Sequence, residues 1–219
     1  MHRTFPDLNT FRQGGILHQP LKNLLAAYSI HRPDIGYVQG MSYIAGNLLL
    51  HMGDEYLAFQ AFCNLMNRYI LFAFYSFNMV EVNIFFNVYM RLLRQQLPKL
   101  AQLFEETGLS CSIYLFEWCV AVFSNILPLQ MSSRVWDLWL WHGEVFFMRV
   151  CLAASACLFD QVKDTGEEML IIMFKSLAKF VDEKKLLDRA ESIKLTQKTY
   201  DAAKEEVRKT PNLEKLVSY

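Results

Sequence analysis

Two short stretches of this 219-residue chain carry side chains suited to chemistry on another molecule: RTFP at positions 3–6 and YVQGM at positions 37–41. Arg3 offers a permanent positive charge with several donors, the means to stabilise negative charge at any physiological pH. Gln39 offers an amide, which donates and accepts hydrogen bonds without changing charge. Pro6 biases Phe5 toward extended backbone, so Arg3 and Thr4 are expected on a loop leading into the fold, from which the guanidinium can project. Gly36 and Gly40 permit close backbone approach or unusual dihedrals and would leave Tyr37 and Gln39 unshielded. Each stretch also has a plainer explanation. Arg3 fits an ordinary exposed arginine near a terminus, and Gln39 fits a polar residue satisfying free backbone groups where a helix begins.

Other chemistries lack their residues. The histidines at 2, 18, 31, 51 and 142 show no HExxH-type spacing and there is no Cys/His grouping for zinc, so no metal site is expected. No GxSxG elbow, phosphate-binding loop or GxGxxG is present, which argues against ester hydrolysis or nucleotide binding by the chain itself. Glu105-Glu106 and Glu167-Glu168 sit in polar sequence and are expected to be solvated. A net charge of zero gives no support for nucleic acid or an anionic membrane as partner. Five cysteines, an odd number without a CxxC pattern and set in apolar stretches, read as reduced core thiols, so a cytoplasmic location is expected. The first residues have no apolar core of a secretory signal. The apolar stretch 69–90 is long enough to cross a bilayer, but it contains Asn78, Glu81, Asn83 and Asn87. A carboxylate at that depth costs roughly 2 kcal/mol or more, which argues against insertion.

The elements that must position Arg3 and Gln39 are helices. Apolar residues make up 53% of the chain and aromatics 14%, enough for one sizeable core. Leu21, Leu24, Leu25 and Tyr28 share a helical face behind Pro20, and Tyr56, Phe59, Phe62, Cys63 and Met66 are expected to form a second stripe after Asp54 and Glu55. A further helix should break at Pro98 and end at Gly108, with others near 111–126, 129–141, 143–159 and 164–181. No polar/apolar alternation long enough for a sheet occurs. More than a third of the charged residues fall in positions 182–219. The end of the chain therefore reads as solvated amphipathic helix, with Leu187, Ala190, Ile193, Tyr200, Ala203 and Val207 as its packing stripe.

Taken jointly, RTFP and YVQGM resemble the TBC family of GTPase-activating proteins for Rab GTPases. In that family one motif ends in R-T-F-P and supplies an arginine finger, and a second, Y-x-Q-G-M, supplies a glutamine finger. The later stretch with Trp136, Asp137 and Gly143 is similar to the family's W-D-x-x-x-x-x-G motif. The resemblance implies an all-α, multi-helix TBC-like domain over residues 1–195, followed by a charged amphipathic helix or tail at 196–219. It also implies an N-terminally incomplete domain, since the I-x-x-D half of the arginine motif and an earlier R-x-x-x-W motif would precede Met1. Arg3 and Gln39 would then be catalytic, and Thr4, Tyr37, Gly40 and Met41 would belong to the binding region, with Tyr37 and Met41 expected mainly to pack. The implied partner is a Rab-type GTPase in its GTP-bound state. GTP and Mg²⁺ would be carried by that partner, with no cofactor of the chain's own, and any membrane association, peripheral at endomembranes, would come through the partner. A helical module that binds the GTPase without accelerating hydrolysis, or a helical scaffold with no such partner, are the competing possibilities.

Overall fold

Apolar side chains recur at helical spacing along most of the chain, and in the computed structural model they fold as helices. The structure describes residues 4–6, 8–161 and 167–210, and among these there is no strand. The chain forms two compact units, Met1–Asn78 with Glu117–Asn125, and Met79–Phe116 with Ile126–Tyr219.

In the first unit a 3₁₀ turn at Asn9–Phe11 leads to α1 (His18–His31), which buries Leu21, Leu24, Leu25 and Tyr28 as expected. Helix α2 (Met41–Met52) packs against α1 and against α3 (Glu55–Met66). Asp54 caps α3, its carboxylate accepting from the Leu57 N–H at 2.7 Å. The buried stripe of α3 differs from the expected one. Ala58, Phe62, Leu65 and Met66 face inward, whereas Tyr56 is 67% exposed. Apolar residues cover more than one face of this helix, so helical spacing allows two stripes, and packing against α1 and α2 selects between them. Tyr28 stands edge-on to Phe62, ring centroids 4.9 Å apart, at that contact.

Helix α4 (Tyr69–Tyr75) ends in a left-handed turn. The Asn78 N–H donates to the Ala73 carbonyl and the Phe77 N–H to that of Phe74, while Phe77 itself has φ +52°. This turn divides the apolar stretch 69–90. Among the described residues no helix is long and apolar enough to cross a membrane.

The chain re-enters the first unit through α7 (Ser112–Val120). The expected helix 111–126 stops at Val120 because Val122 and Phe123 take up φ of +46° and +62°, outside the right-handed helical region. Their N–H groups bond back to Cys119 and Trp118, closing the end of α7.

The second unit contains α5 (Met79–Gln96), α6 (Pro98–Thr107), α8 (Leu129–His142), α9 (Glu144–Phe159), α10 (Glu167–Lys175), α11 (Glu183–Ser192) and α12 (Gln197–Arg208). The break falls at Pro98, which opens α6 where its missing N–H costs nothing. Helix α9 is apolar around nearly its whole circumference and packs on α5, α8, α10 and α11. Its one cation, Arg149, is satisfied by the Leu195 carbonyl, with Nε at 3.0 Å. At the tail, Leu186 takes the buried place expected for Leu187, while Tyr200, Ala203 and Val207 of α12 pack inward. Pairs Arg208–Glu81, at 3.2 Å, and Arg91–Glu206 align α12 along α5. Residues 211–219 and the side chains of Glu167 and Glu168 fall outside what is described.

The five cysteines are free; Cys63 is half-buried and the other four are buried. Burial pushes the Cys111 thiol up to about 12. The polar heart of this unit is a closed network: the Tyr89 hydroxyl bonds Tyr114 at 2.8 Å and Ser155 at 2.6 Å, and Ser155 donates to the Cys151 carbonyl at 2.9 Å. Ser155→Ala removes one partner of a fully buried phenol. It is expected to lower unfolding free energy by about 1–3 kcal/mol, read from the urea midpoint at unchanged m-value.

Candidate functional site

The YVQGM stretch forms the entrance to α2. Residues 37–40 are irregular, and Gly40, at φ +107°, is the residue from which the helix starts. The Met41 N–H donates to the Val38 carbonyl at 3.2 Å and the Tyr43 N–H to that of Gly40 at 3.0 Å, which closes the turn. Gln39 is exposed at its tip, and among the described residues its amide has no hydrogen-bond partner. The helix start receives no side-chain cap, so a role for Gln39 in satisfying local backbone has no support in the geometry.

Gly40 is needed for two reasons. Its dihedral lies where L side chains are strained, and a Cβ would stand 3.1 Å from the Tyr75 hydroxyl and 3.3 Å from Val120 Cγ2. The close approach at Gly40 is thus made inside the protein. Gly36, at φ +66° with nothing within 4 Å of a Cβ, serves only the dihedral. The loop before it is tied down by Arg32. Its guanidinium pairs with Asp34 at 2.7 Å, donates to Asn67 at 3.2 Å and lies 5.8 Å from the Phe72 ring centre. The hydrogen bond from Arg32 holds the Asp34 carboxyl below the usual carboxylate range.

Of the binding-region residues, Tyr37 is 53% exposed and does not pack into the core as expected. It lines a shallow depression of about 290 Å³ with Lys22, Leu25, Ala26 and Ser29 of α1. Met41, by contrast, is fully buried and its sulfur accepts from the Val38 N–H. Thr4 is 3% exposed, so neither Thr4 nor Met41 presents a surface to a partner, and both act by packing.

Arg3 lies outside the described residues. The two that follow it are anchored firmly. Phe5 is buried between Phe11, ring centroids 5.9 Å apart, and the edge of Tyr43, at 5.5 Å. Gly46 of α2 makes room for this anchor: a Cβ there would meet Thr4, Phe5 and Phe11 at 3.2 to 3.3 Å. Phe5 has φ +44° and not the extended conformation expected before Pro6. Three aromatic and small-residue contacts outweigh the local bias of the following proline. The Phe5 carbonyl accepts from Leu8 and the Pro6 carbonyl from Arg12, at 2.8 Å each, which secures the turn. One helix therefore carries Gln39 at its entrance and seats Thr4 and Phe5 six residues beyond Gly40, about 9 Å along its axis.

Gly46, Tyr75 and Val120 belong to no motif, and only Gly46 leaves a trace in sequence, as a lone glycine inside an apolar helix. Trp136 is buried against Trp139, ring centroids 5.7 Å apart, consistent with packing, and Asp137 is exposed. No group of His, Cys, Asp and Glu among the described residues could hold a metal ion.

The model of the Rab-GTPase-TBC domain matches residues 1–161. The chain belongs to that family. Rat and human proteins called TBC1 domain family member 14 are each 41% identical over 150 residues, 68% of this chain and 22% of their own length. Drainin of Dictyostelium discoideum is 33% identical over 199 residues, 90% of this chain and 45% of its own length. The TBC chain thus spans under half the length of these relatives. Among solved structures, the Chlamydomonas flagellar RabGAP TBC domain superposes with a TM-score of 0.67 at 27% identity, covering 78% of this chain and 58% of that one. That neighbour confirms the all-α TBC fold.

The two glycines of the TBC turn are expected to differ under substitution. Gly40→Ala should cost about 1–3 kcal/mol through dihedral strain plus contact with Tyr75 and Val120, and Gly36→Ala about 1 kcal/mol through the dihedral alone. Chemical denaturation of the two variants checks the order.

Proposed function

We propose that this TBC chain accelerates GTP hydrolysis by a Rab-type small GTPase in its GTP-bound state, supplying an arginine finger from Arg3 and a glutamine finger from Gln39, and so regulates vesicle trafficking. The observation that carries the proposal is the Gln39 amide. It is exposed, has no partner among the described residues, and stands on a turn braced by Gly40. A group held in this way has its hydrogen-bonding capacity free for another molecule.

A small GTPase is slow alone because the charge developing on the transferring phosphoryl group is under-stabilised and the attacking water is poorly oriented. Gln39 orients that water, donating and accepting without a change of charge. Arg3 contributes donors to the phosphoryl oxygens, an effect on the order of 4–7 kcal/mol for an arginine acting in trans. Thr4 and Phe5 fix the chain next to Arg3 on α2, the helix that also positions Gln39. Tyr37, exposed two residues from Gln39, and the depression it shares with Lys22 and Ser29 form the neighbouring contact surface for the GTPase. GTP and Mg²⁺ arrive with the partner. The encounter takes place on the cytoplasmic side of endomembranes, where the partner is held.

Single-turnover GTP hydrolysis by a panel of Rab-type GTPases tests this. Wild-type chain should raise the rate for at least one of them. Arg3→Ala should reduce that acceleration about 10³- to 10⁵-fold, and Gln39→Ala should remove most of it. Acceleration by neither the chain nor a version extended at its N-terminus would refute the proposal, and binding without acceleration would select a non-catalytic GTPase-binding module instead.

A further inference from the structure

The first unit contains a strained segment that no motif explains. Val122 and Phe123 are consecutive, fully buried, non-glycine residues with φ of +46° and +62°. Backbone of this kind costs about 1–3 kcal/mol per residue and persists only where surrounding contacts over-determine it. Two hydrogen bonds from different helices supply such contacts. From the last residue of α4, the Tyr75 hydroxyl donates to the Val120 carbonyl, and from α2 the Asn47 amide donates to Ser124 at 3.4 Å. Trp118 packs on Phe123 in a tilted pair, ring centroids 5.2 Å apart, and closes the turn.

The Tyr75 hydroxyl and Val120 are also the two groups packed against Gly40. The hydroxyl is fully buried, and desolvation holds its ionisation far above physiological pH, so it remains a donor. The backbone one residue after Gln39 therefore lies against two residues joined by a hydrogen bond.

We propose that Tyr75 is a positioning residue for Gln39: its hydrogen bond to Val120 holds the strained segment 120–123 against Gly40 and so fixes the turn that presents the glutamine amide. The role in turnover rests on the activator function proposed above; the mechanical coupling between Tyr75 and the turn does not. With phenylalanine at position 75 the ring still fills its place, but the Val120 carbonyl loses its donor and the hold on the segment at its Gly40 end is weakened. Tyr75 touches no substrate in this scheme and acts only through where Gln39 stands.

Two measurements on the full chain test the proposal, with Tyr89→Phe as control because it removes a buried, hydrogen-bonded phenol hydroxyl from the other unit. Amide hydrogen exchange should rise about ten-fold at Met41 and Tyr43 in Tyr75→Phe, compared at equal distance from the unfolding midpoint, and should stay at the wild-type rate in Tyr89→Phe. With a responsive GTPase, Tyr75→Phe should lower kcat about 10- to 100-fold while KM stays within about two-fold. Unchanged exchange at Met41 and Tyr43, or an equal rise in both variants, overturns the coupling whether or not any GTPase responds. Normal kcat in Tyr75→Phe, with wild-type chain active, overturns the positioning role and leaves the activator function standing. Raised exchange with wild-type chain active on no GTPase supports the coupling and counts against the activator function alone.

Discussion

At the entrance to α2 the backbone passes so close to the Tyr75 hydroxyl and the Val120 side chain that a Cβ at residue 40 would press tightly on both. Much of the first unit is arranged around that contact. It sets where α2 begins, and hence the direction in which Gln39 leaves the protein. It requires α4 to end at Tyr75, which the left-handed turn at Phe77 accomplishes. It also requires α7 to stop at Val120, so that the chain can fold back beneath the turn.

Helix α2 links the two sequence stretches, whose Arg3 and Gln39 are 36 positions apart. Gly40 starts it, and Gly46, on its buried face, leaves the space that Thr4 and Phe5 fill. A larger residue at Gly46 would displace the anchor next to Arg3, and a larger residue at Gly40 would displace the turn bearing Gln39. The two glycines thus serve internal packing. What lies at the surface near Gln39 is the half-exposed ring of Tyr37 and the depression that it lines with Lys22 and Ser29. This division suits the activating role proposed above, since groups that would act on a partner's nucleotide gain most from a frame that does not reorganise on contact.

Strain in this frame is offset by burial. Phe5, Phe77, Val122 and Phe123 all have positive φ, and all but Phe77 are buried. At about 25 cal/mol per Å² of apolar surface, burying one phenylalanine ring returns about 2–3 kcal/mol, comparable with the cost of its dihedral. The second unit shows the complementary rule for polar groups. Arg149 sits in an otherwise apolar helix and is tolerated because the Leu195 carbonyl meets it, and the buried phenols of Tyr89 and Tyr114 are tolerated because each finds a hydroxyl.

Sequence by itself determined that the chain is helical, which face of α1 is buried, that α5 and α6 are divided at Pro98, and, through RTFP and YVQGM, that the chain resembles the TBC family. These are local properties: periodicity, proline and motif spacing are all visible within a few turns of chain. Tertiary structure alone decided that α3 buries Ala58 and Leu65 in place of Tyr56, that Tyr37 is exposed while Thr4 and Met41 are not, and that Phe5 is left-handed despite Pro6. It alone brought Tyr75 and Val120 to Gly40. Gly40 meets residues 35 and 80 positions away, and the placing of Phe5 and of α3 likewise depends on other helices, so no local pattern records these outcomes. A helix with two apolar faces reads the same whichever one is buried, and a glycine reads the same whether the neighbour that needs its space is a partner protein or a tyrosine of its own fold.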